Sequence, residues 1–303
     1  MYITFDLGGT TLKGGISNYK GEIVERTVVS TVDIHNESDL IDTINIATEN
    51  LLRKINISIN FIKGIGLGIP GYVPEDGERI PKIVNLGLEN VFLKKHLKEV
   101  FKIPVKIEND ANAAALGEFH FGAAKETKDA LIITLGTGVG GGVIINERVH
   151  RGVSGLSGEI GHITVKLKSG RQCNCGKTGC LETESSGTAI EYYGKQKLNS
   201  NVTAKDVIER AKKGEEEAEK VIDNSAYYLG YALSTMFHVL EFEKVVLGGG
   251  VARGGYTLLP PVRKWLNLFM QNSTDFSEER VVLSEFGNDA ALYGLYYQII
   301  NDS

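Results

Sequence analysis

One pattern constrains this chain more than any other, because it occurs twice. Tyr2 to Phe5 reads as a short buried strand and runs into Asp6-Leu7-Gly8-Gly9-Thr10. A second strand near 12–17, a turn at Asn18-Tyr19-Lys20-Gly21 and a third strand over Glu22–Val29 follow. The series restarts at Ala130–Leu135, continues through Gly136-Thr137-Gly138-Val139-Gly140-Gly141-Gly142, and carries on with a strand at Val143–Ile145 and a turn at Asn146-Glu147-Arg148. One glycine-threonine hairpin could arise by chance. Two, each leading a half of the chain, point to an internal duplication at long period.

The segments after each hairpin alternate between strand and helix. Residues 37–54 place Leu40, Ile41, Ile44, Ala47, Leu51 and Leu52 at helical spacing, with Ser38 as a candidate N-cap. Strands at Ile62–Ile69 and Val105–Ile107 follow, the second ending in Glu108-Asn109-Asp110, and Ala111 to Gly117 reads as a helix. In the second half, helices are expected near 203–222 and 225–240. A strand over Val245–Leu247 enters Gly248-Gly249-Gly250; then come a helix near 258–271, a strand over Val281–Ser284 and a closing helix over 288–300. This alternation predicts an α/β fold with helices covering mostly parallel sheets. No low-complexity linker appears, so the boundary between halves is expected to be a hinge.

Composition narrows the function classes. With 303 residues the chain can bury the cores of two modest domains or one large one. A net charge of -5 does not favour a nucleic acid partner. The opening MYITFDLGG has no basic and apolar leader pattern, and no stretch approaches the roughly 18 apolar residues of a membrane helix, so a cytoplasmic protein without membrane contact is expected. Glycine is the outlier, with 36 copies against 6 prolines, clustered at 8–15, 64–71, 136–142, 152–161 and 248–255. Loops that bring backbone close to a ligand need residues without a Cβ, although glycines also merely turn corners.

The two hairpin tips suit phosphate. Backbone N–H groups in a tight glycine turn form an anion-binding concavity, and threonine hydroxyls add donors. Neither loop is a Walker A sequence, and neither is a Rossmann turn, because a strand rather than a helix follows each. The expected phosphate site is therefore a cleft between two hairpins. The third cluster, around Gly249 and Gly250, follows a strand and could accept a flat purine. Asp6 ends a strand just before the first loop, where a carboxylate can hold magnesium or simply cap the turn. Asp110 lies between an apolar strand and a helix, beside Asn109. It could accept the proton of an attacking hydroxyl in phosphoryl transfer, or be no more than a helix N-cap.

All three cysteines fall within eight residues, as Cys173-Asn174-Cys175-Gly176-Lys177-Thr178-Gly179-Cys180. An odd count without an export signal argues against disulfides. His162, eleven residues before Cys173, can supply a fourth ligand to a tetrahedral zinc ion. A site closed by four protein ligands is structural rather than hydrolytic; a zinc hydrolase would need an open position for water. Glu159 and Glu182 flank the loop and could grip sugar hydroxyls, or be solvated surface groups. His35, His96, His120, His150 and His238 join no such constellation.

These pieces resemble the ROK family (repressor, open reading frame, kinase). Asp6-Leu7-Gly8-Gly9-Thr10, Glu108-Asn109-Asp110-Ala111-Asn112, the run Leu135–Gly142, Glu159-Ile160-Gly161-His162, the cysteine run 173–182 and Leu247-Gly248-Gly249-Gly250-Val251 occur in family order across nearly the whole chain. The resemblance implies a two-domain actin-like (ribonuclease-H-like) ATPase fold with a central cleft. It implies a smaller domain of 1–117 plus 286–303 and a larger one of 118–285 that carries the zinc loop. It implies ATP and magnesium, with Asp6, Gly8, Gly9, Thr10, Thr137 and Gly138 around the phosphates and Gly249 and Gly250 by the base. Asp110 becomes the catalytic base for a sugar 6-hydroxyl; Asn109, Glu159, His162 and Glu182 become sugar contacts; and His162, Cys173, Cys175 and Cys180 become ligands of a structural zinc. His162 would then use one ring nitrogen for the metal and offer the other to the sugar.

Some family members are repressors with a DNA-binding segment before the first phosphate loop. This chain starts a few residues before Asp6, so an enzyme is expected rather than a regulator, as a homodimer. The segment Asn85-Leu86-Gly87-Leu88-Glu89-Asn90-Val91 is similar to that of bacterial glucokinases, many of which carry tryptophan where Leu88 stands here. The expected activity is ATP-dependent phosphorylation of a hexose, glucose first, with N-acetylmannosamine, N-acetylglucosamine and fructose as alternatives. A non-catalytic sugar-binding sensor is the competing class.

Overall fold

Strand β1 (Tyr2–Leu7) is the hub of the first sheet, because Ile3, Phe5 and Leu7 are fully buried and Thr4 is buried with them. It pairs antiparallel with β2 (Thr11–Ser17), which pairs antiparallel with β3 (Ile23–Ser30). Helix α1 (Glu37–Lys54) then leads to β4 (Ile65–Ile69), parallel to β1. A two-stranded ribbon of β5 (Ile80–Ile83) and β6 (Leu88–Val91) precedes helix α2 (Leu93–Phe101). Strand β7 (Val105–Asn109) runs parallel to β4 and feeds helix α3 (Asp110–His120). The sheet order is β3-β2-β1-β4-β7. Every residue of β4 is buried, as expected of a parallel strand covered on both faces. Its glycines keep one face flat: a Cβ on Gly66 would come within 2.9 Å of Leu295 Cβ on the C-terminal helix, Ala290–Asn301.

The computed structural model describes residues 1–270 and 277–301. Contacts group Met1–Phe121, Arg151–Leu156 and the segment from Asp289 into one unit, and Gly122–His150 with Ser157–Asn288 into another. In the second unit, β8 (Ala130–Leu135) pairs antiparallel with β9 (Val139–Ile145), and β9 with β10 (Arg148–Val149). Strand β11 (Lys244–Gly248) is parallel to β8, and β12 (Val281–Leu283) is parallel to β11. The order β10-β9-β8-β11-β12 repeats the first sheet in sequence and sense, which is what a duplicated unit requires. Among the described residues, six α-helices accompany this sheet: α4 (Leu181–Ser185), α5 (Gly187–Lys197), α6 (Ala204–Lys212), α7 (Glu216–Val239), α8 (Gly249–Ala252) and α9 (Leu259–Phe269). Each sheet sits in its own hydrophobic core.

Several local expectations need correction. Helix α1 is capped by Asn36 and not Ser38, because Asn36 Oδ1 accepts the Asp39 N–H at 3.0 Å while Ser38 lies inside the helix. The break expected between 222 and 225 falls at Lys213–Glu215 instead. Gly214 turns there at φ +80°, and Val221, Ile222, Ser225, Ala226 and Leu229 form an unbroken buried stripe along α7. Strand β9 starts at Val139 rather than Val143, since Gly140, Gly141 and Gly142 pair with Thr134, Ile133 and Ile132. Leu88 is 7% exposed and belongs to the first unit's core. The expected end of the helix near 258–271, Gln271, and the last two residues of the 286–303 segment lie outside the described residues.

Candidate active site

In the first unit, the parallel strands bring three loops to one edge. Asp6 is in register with Gly68, and Gly68 with Glu108, so β1, β4 and β7 end together. Open parallel sheets bind ligands beyond such carboxyl ends. Beyond β1, the Gly8 N–H donates to Thr11 O at 2.9 Å and closes the hairpin, which leaves Gly9 and Thr10 exposed. Asp6 does not make that turn bond. Its carboxylate lies 3.7 Å from the Lys13 ammonium, its cross-strand partner on β2. Burial raises the Asp6 carboxyl above the ordinary range, with Lys13 opposing. The glucokinase-like segment reaches this loop, since a Cβ on Gly9 would stand 3.5 Å from Asn85 Cβ.

Beyond β7, Asn109 takes the capping role that sequence left open for Asp110. Its Oδ1 accepts the Asn112 N–H at 2.9 Å, and its Nδ2 donates to Gly71 O at 3.0 Å. Asp110 occupies the first helical position, where its Oδ1 accepts the Ala111 N–H at 2.8 Å.

In the second unit, the other glycine-threonine loop and the third glycine cluster lie side by side. The Gly136 N–H donates to Gly138 O at 3.0 Å, the Gly187 N–H to Gly136 O at 2.7 Å, and the Thr188 hydroxyl to Thr137 O at 2.8 Å. Gly249 takes φ +85°, and a Cβ there would come within 2.8 Å of Leu135 N, so only glycine lets β11 turn into α8 against the end of β8. Gly250 follows within α8.

The cysteine run folds back on His162. Cys173 Sγ lies 3.7 Å from His162 Nδ1, Cys175 Sγ lies 3.6 Å from Cys180 Sγ, and the four ligand atoms all fall within 4.8 Å of one another. Thiolates about 2.3 Å from a tetrahedral ion would be about 3.8 Å apart, so the arrangement fits zinc. Burial pushes the Cys173 thiol up to about 12 and raises Cys180 as well. At Cys175 burial acts the same way, but hydrogen bonds from the Lys177 backbone and the neighbouring thiols outweigh it and hold the thiol below its usual value. His162 Nε2 points the other way, 3.8 Å from Glu159 Oε2.

Glu182 links the two halves of this unit's site. Its Oε2 accepts the Val139 N–H at 3.1 Å beside Gly138, and its Oε1 lies 3.6 Å from Cys173 Sγ. The first unit thus gathers Asp6, Gly8, Gly9, Thr10, Asn109 and Asp110; the second gathers Thr137, Gly138, Glu159, His162, Glu182, Gly249, Gly250 and the cysteines.

Sequence reading passed over the groups that support these residues. Lys13 was detectable as the cross-strand neighbour of Asp6 once the hairpin length was counted. Glu184 is fully buried beneath the cysteine loop, with Lys166 Nζ at 3.2 Å and the Tyr193 hydroxyl donating at 2.5 Å. A carboxylate in a buried helix was the available signal. Burial opposes charge on Lys166, but its bonds to Tyr193 and Glu184 prevail and raise it above its usual value.

A glucokinase of Halalkalibacterium halodurans is 39% identical over 97% of this chain and 93% of its own length. The crystal structure of a ROK family glucokinase from Streptomyces griseus, in complex with glucose and AMPPNP, is 29% identical with a TM-score of 0.87 over 98% of both chains. A ROK hexokinase from Thermus thermophilus is 30% identical with a TM-score of 0.80 over 100% of this chain and 99% of its own. These likenesses bear out the actin-like α/β fold. The ROK family model matches residues 2–301, and the chain is therefore a member of the ROK family.

Proposed function

We propose that the protein is an ATP-dependent sugar kinase that transfers the γ-phosphoryl group of ATP to the 6-hydroxyl of a hexose, with glucose as substrate. The observation that carries this reading is the placement of Asp110 at the start of α3, on the sheet edge that also carries the Asp6–Thr10 hairpin. The glucokinase relatives and the glucose and AMPPNP complex of the Streptomyces griseus enzyme support the choice of donor and sugar.

Asp110 accepts the proton of the 6-hydroxyl as that oxygen attacks the γ-phosphorus in line, the bond to the β–γ bridging oxygen breaks and ADP leaves; Asn109 fixes the sugar beside it. Glu159, His162 and Glu182 bind the remaining hydroxyls. The N–H groups of Gly8, Gly9, Thr10, Thr137 and Gly138 hold the phosphates, and Gly249 and Gly250 leave room for the purine. Asp6 would hold magnesium, which when bound would supply positive charge to the transferring phosphoryl group. His162, Cys173, Cys175 and Cys180 would hold a zinc ion that makes the sugar-binding loop rigid. The domains are taken as 1–117 with 286–303, and 118–285, in a cytoplasmic homodimer.

The experiment is an ADP-release assay with ATP and magnesium over glucose, N-acetylmannosamine, N-acetylglucosamine and fructose. The proposal expects ADP with glucose foremost. ADP foremost with another of these sugars would replace glucose within the same chemistry. Sugar binding without ADP from any of them would make the protein a sensor.

A further inference from the structure

Glu108 is a charged residue only 3% exposed in β7, the edge strand that runs parallel to β4. A buried carboxylate is costly unless it is paired and hydrogen-bonded. Here every partner is a donor. Oε1 takes the Asn109 N–H at 2.9 Å and Asn112 Nδ2 at 3.4 Å. Oε2 takes Gln298 Nε2 from the C-terminal helix at 2.7 Å and is ion-paired to the Arg151 guanidinium. Two of these donors belong to the cap of α3, because Asn109 is the cap residue and Asn112 donates its own N–H to it. The carboxylate therefore holds the turn from which Asp110 projects.

Arg151 enters from a different part of the chain. It opens the segment Arg151–Leu156, which packs with the first unit although the residues on either side belong to the second. A second anchor holds this segment: Gly155 sits at φ +72° with its Cα against the Tyr72 ring, where a Cβ would overlap the ring. The same strand of chain continues to Glu159, eight residues after Arg151, and to His162.

We propose that Glu108 and Arg151 act as one positioning clamp, in which the ion pair fixes the Asn109–Asp110 turn and ties it to the peptide that leads into Glu159 and His162. Neither residue touches the reacting atoms; both act through Asn109 and Asp110. The proposal rests on Asp110 being the base. Because the clamp sets the aim of the base, its loss lowers turnover far more than it weakens ATP binding, and misplacement on the scale of an ångström is enough for large losses.

The test compares wild type with Glu108→Gln, Arg151→Gln, Arg151→Lys, the Glu108→Gln/Arg151→Gln double variant and Asp110→Asn. We expect kcat to fall about tenfold or more in each Gln single variant while KM for ATP changes less than about threefold. The double variant should be no worse than the worse single, the signature of residues acting as a unit. Arg151→Lys should recover part of the loss. If Glu108→Gln does not fold, Arg151→Gln decides, since the arginine side chain is 34% exposed and the Glu108 carboxylate keeps its three hydrogen-bond donors. Melting temperatures lowered with kcat within about twofold of wild type would reduce the pair to structural support and overturn the proposal, as would additive losses. Near-normal turnover in Asp110→Asn would remove the base assignment and the clamp with it; an inactive Asp110→Asn beside a normal Arg151→Gln would overturn the clamp alone.

Discussion

Replacing Gly294 by alanine should lower both stability and turnover, although Gly294 lies outside every ligand-binding loop. Helix α3 and the C-terminal helix cross with backbone against backbone at Gly117 and Gly294. A Cβ on Gly294 would overlap the Ala113 carbonyl oxygen and stand 2.8 Å from both Ala113 C and Gly117 N. Ordinary contact begins near 3.4 Å, so clearing those two atoms alone parts the helices by about 0.6 Å, and the deeper overlap with the carbonyl oxygen demands about 1 Å or more. Overpacking of this kind costs about 1–3 kcal/mol. In a unit of this size that corresponds to a fall in Tm of roughly 3–10 °C. Helix α3 carries Asp110 at its first position, so the displacement reaches the carboxylate proposed as the base. A misplacement of about 1 Å is worth up to about a hundredfold in rate, so even a part of this displacement passed along the helix should cost at least about tenfold in kcat. Thermal melts and steady-state kinetics on Gly294→Ala measure the two effects. A variant whose Tm is within about 1 °C and whose kcat is within about twofold of wild type would refute the reasoning from this crossing.

Other consequences follow from the same geometry. His120 stacks on Tyr297 with ring centroids 3.4 Å apart, and burial lowers it to about 4. Unfolded, it takes up a proton near its ordinary value of about 6.5, so its full contribution to stability is present above that pH and is lost as pH falls toward 4. Lowering pH from 7 to 5 should cost about 1 kcal/mol through this group once partial solvent screening is counted, and His120→Gln should flatten that part of a denaturation profile. Lys166→Met leaves the buried Glu184 carboxylate without its cation and should cost about 3 kcal/mol, read by urea titration, with Lys166→Met/Glu184→Gln recovering much of it. Elemental analysis should find zinc bound to the wild type and absent from Cys180→Ala, and that variant should show KM for glucose raised about tenfold with KM for ATP nearly unchanged. Equal changes in both constants would detach the cysteine loop from the sugar.

The strand series of both halves was legible because the parallel strands read as apolar runs ending in glycine or in Asn-Asp. The repeated order of the two sheets follows from it. The convergence of His162 on the cysteines was legible from residue type and spacing, since few side chains other than thiols and imidazole hold zinc. Three things were hidden. The break before α7 depends on Gly214 taking a left-handed turn, while the expected break fell within a stripe that tertiary packing makes continuous. Asn36 outcompetes Ser38 as a cap through a contact that either residue type could make. The arginine and glutamine partners of Glu108 come from 43 and 190 residues away, and no local pattern encodes them.

The most direct measurement of the central claim is phosphorus NMR of glucose mixed with ATP, magnesium and either wild type or Asp110→Asn. The account predicts that wild type converts ATP to ADP with phosphate appearing on the glucose 6-oxygen, and that Asp110→Asn slows this at least about a hundredfold. Phosphate on another position, or equal rates for the two proteins, would contradict it.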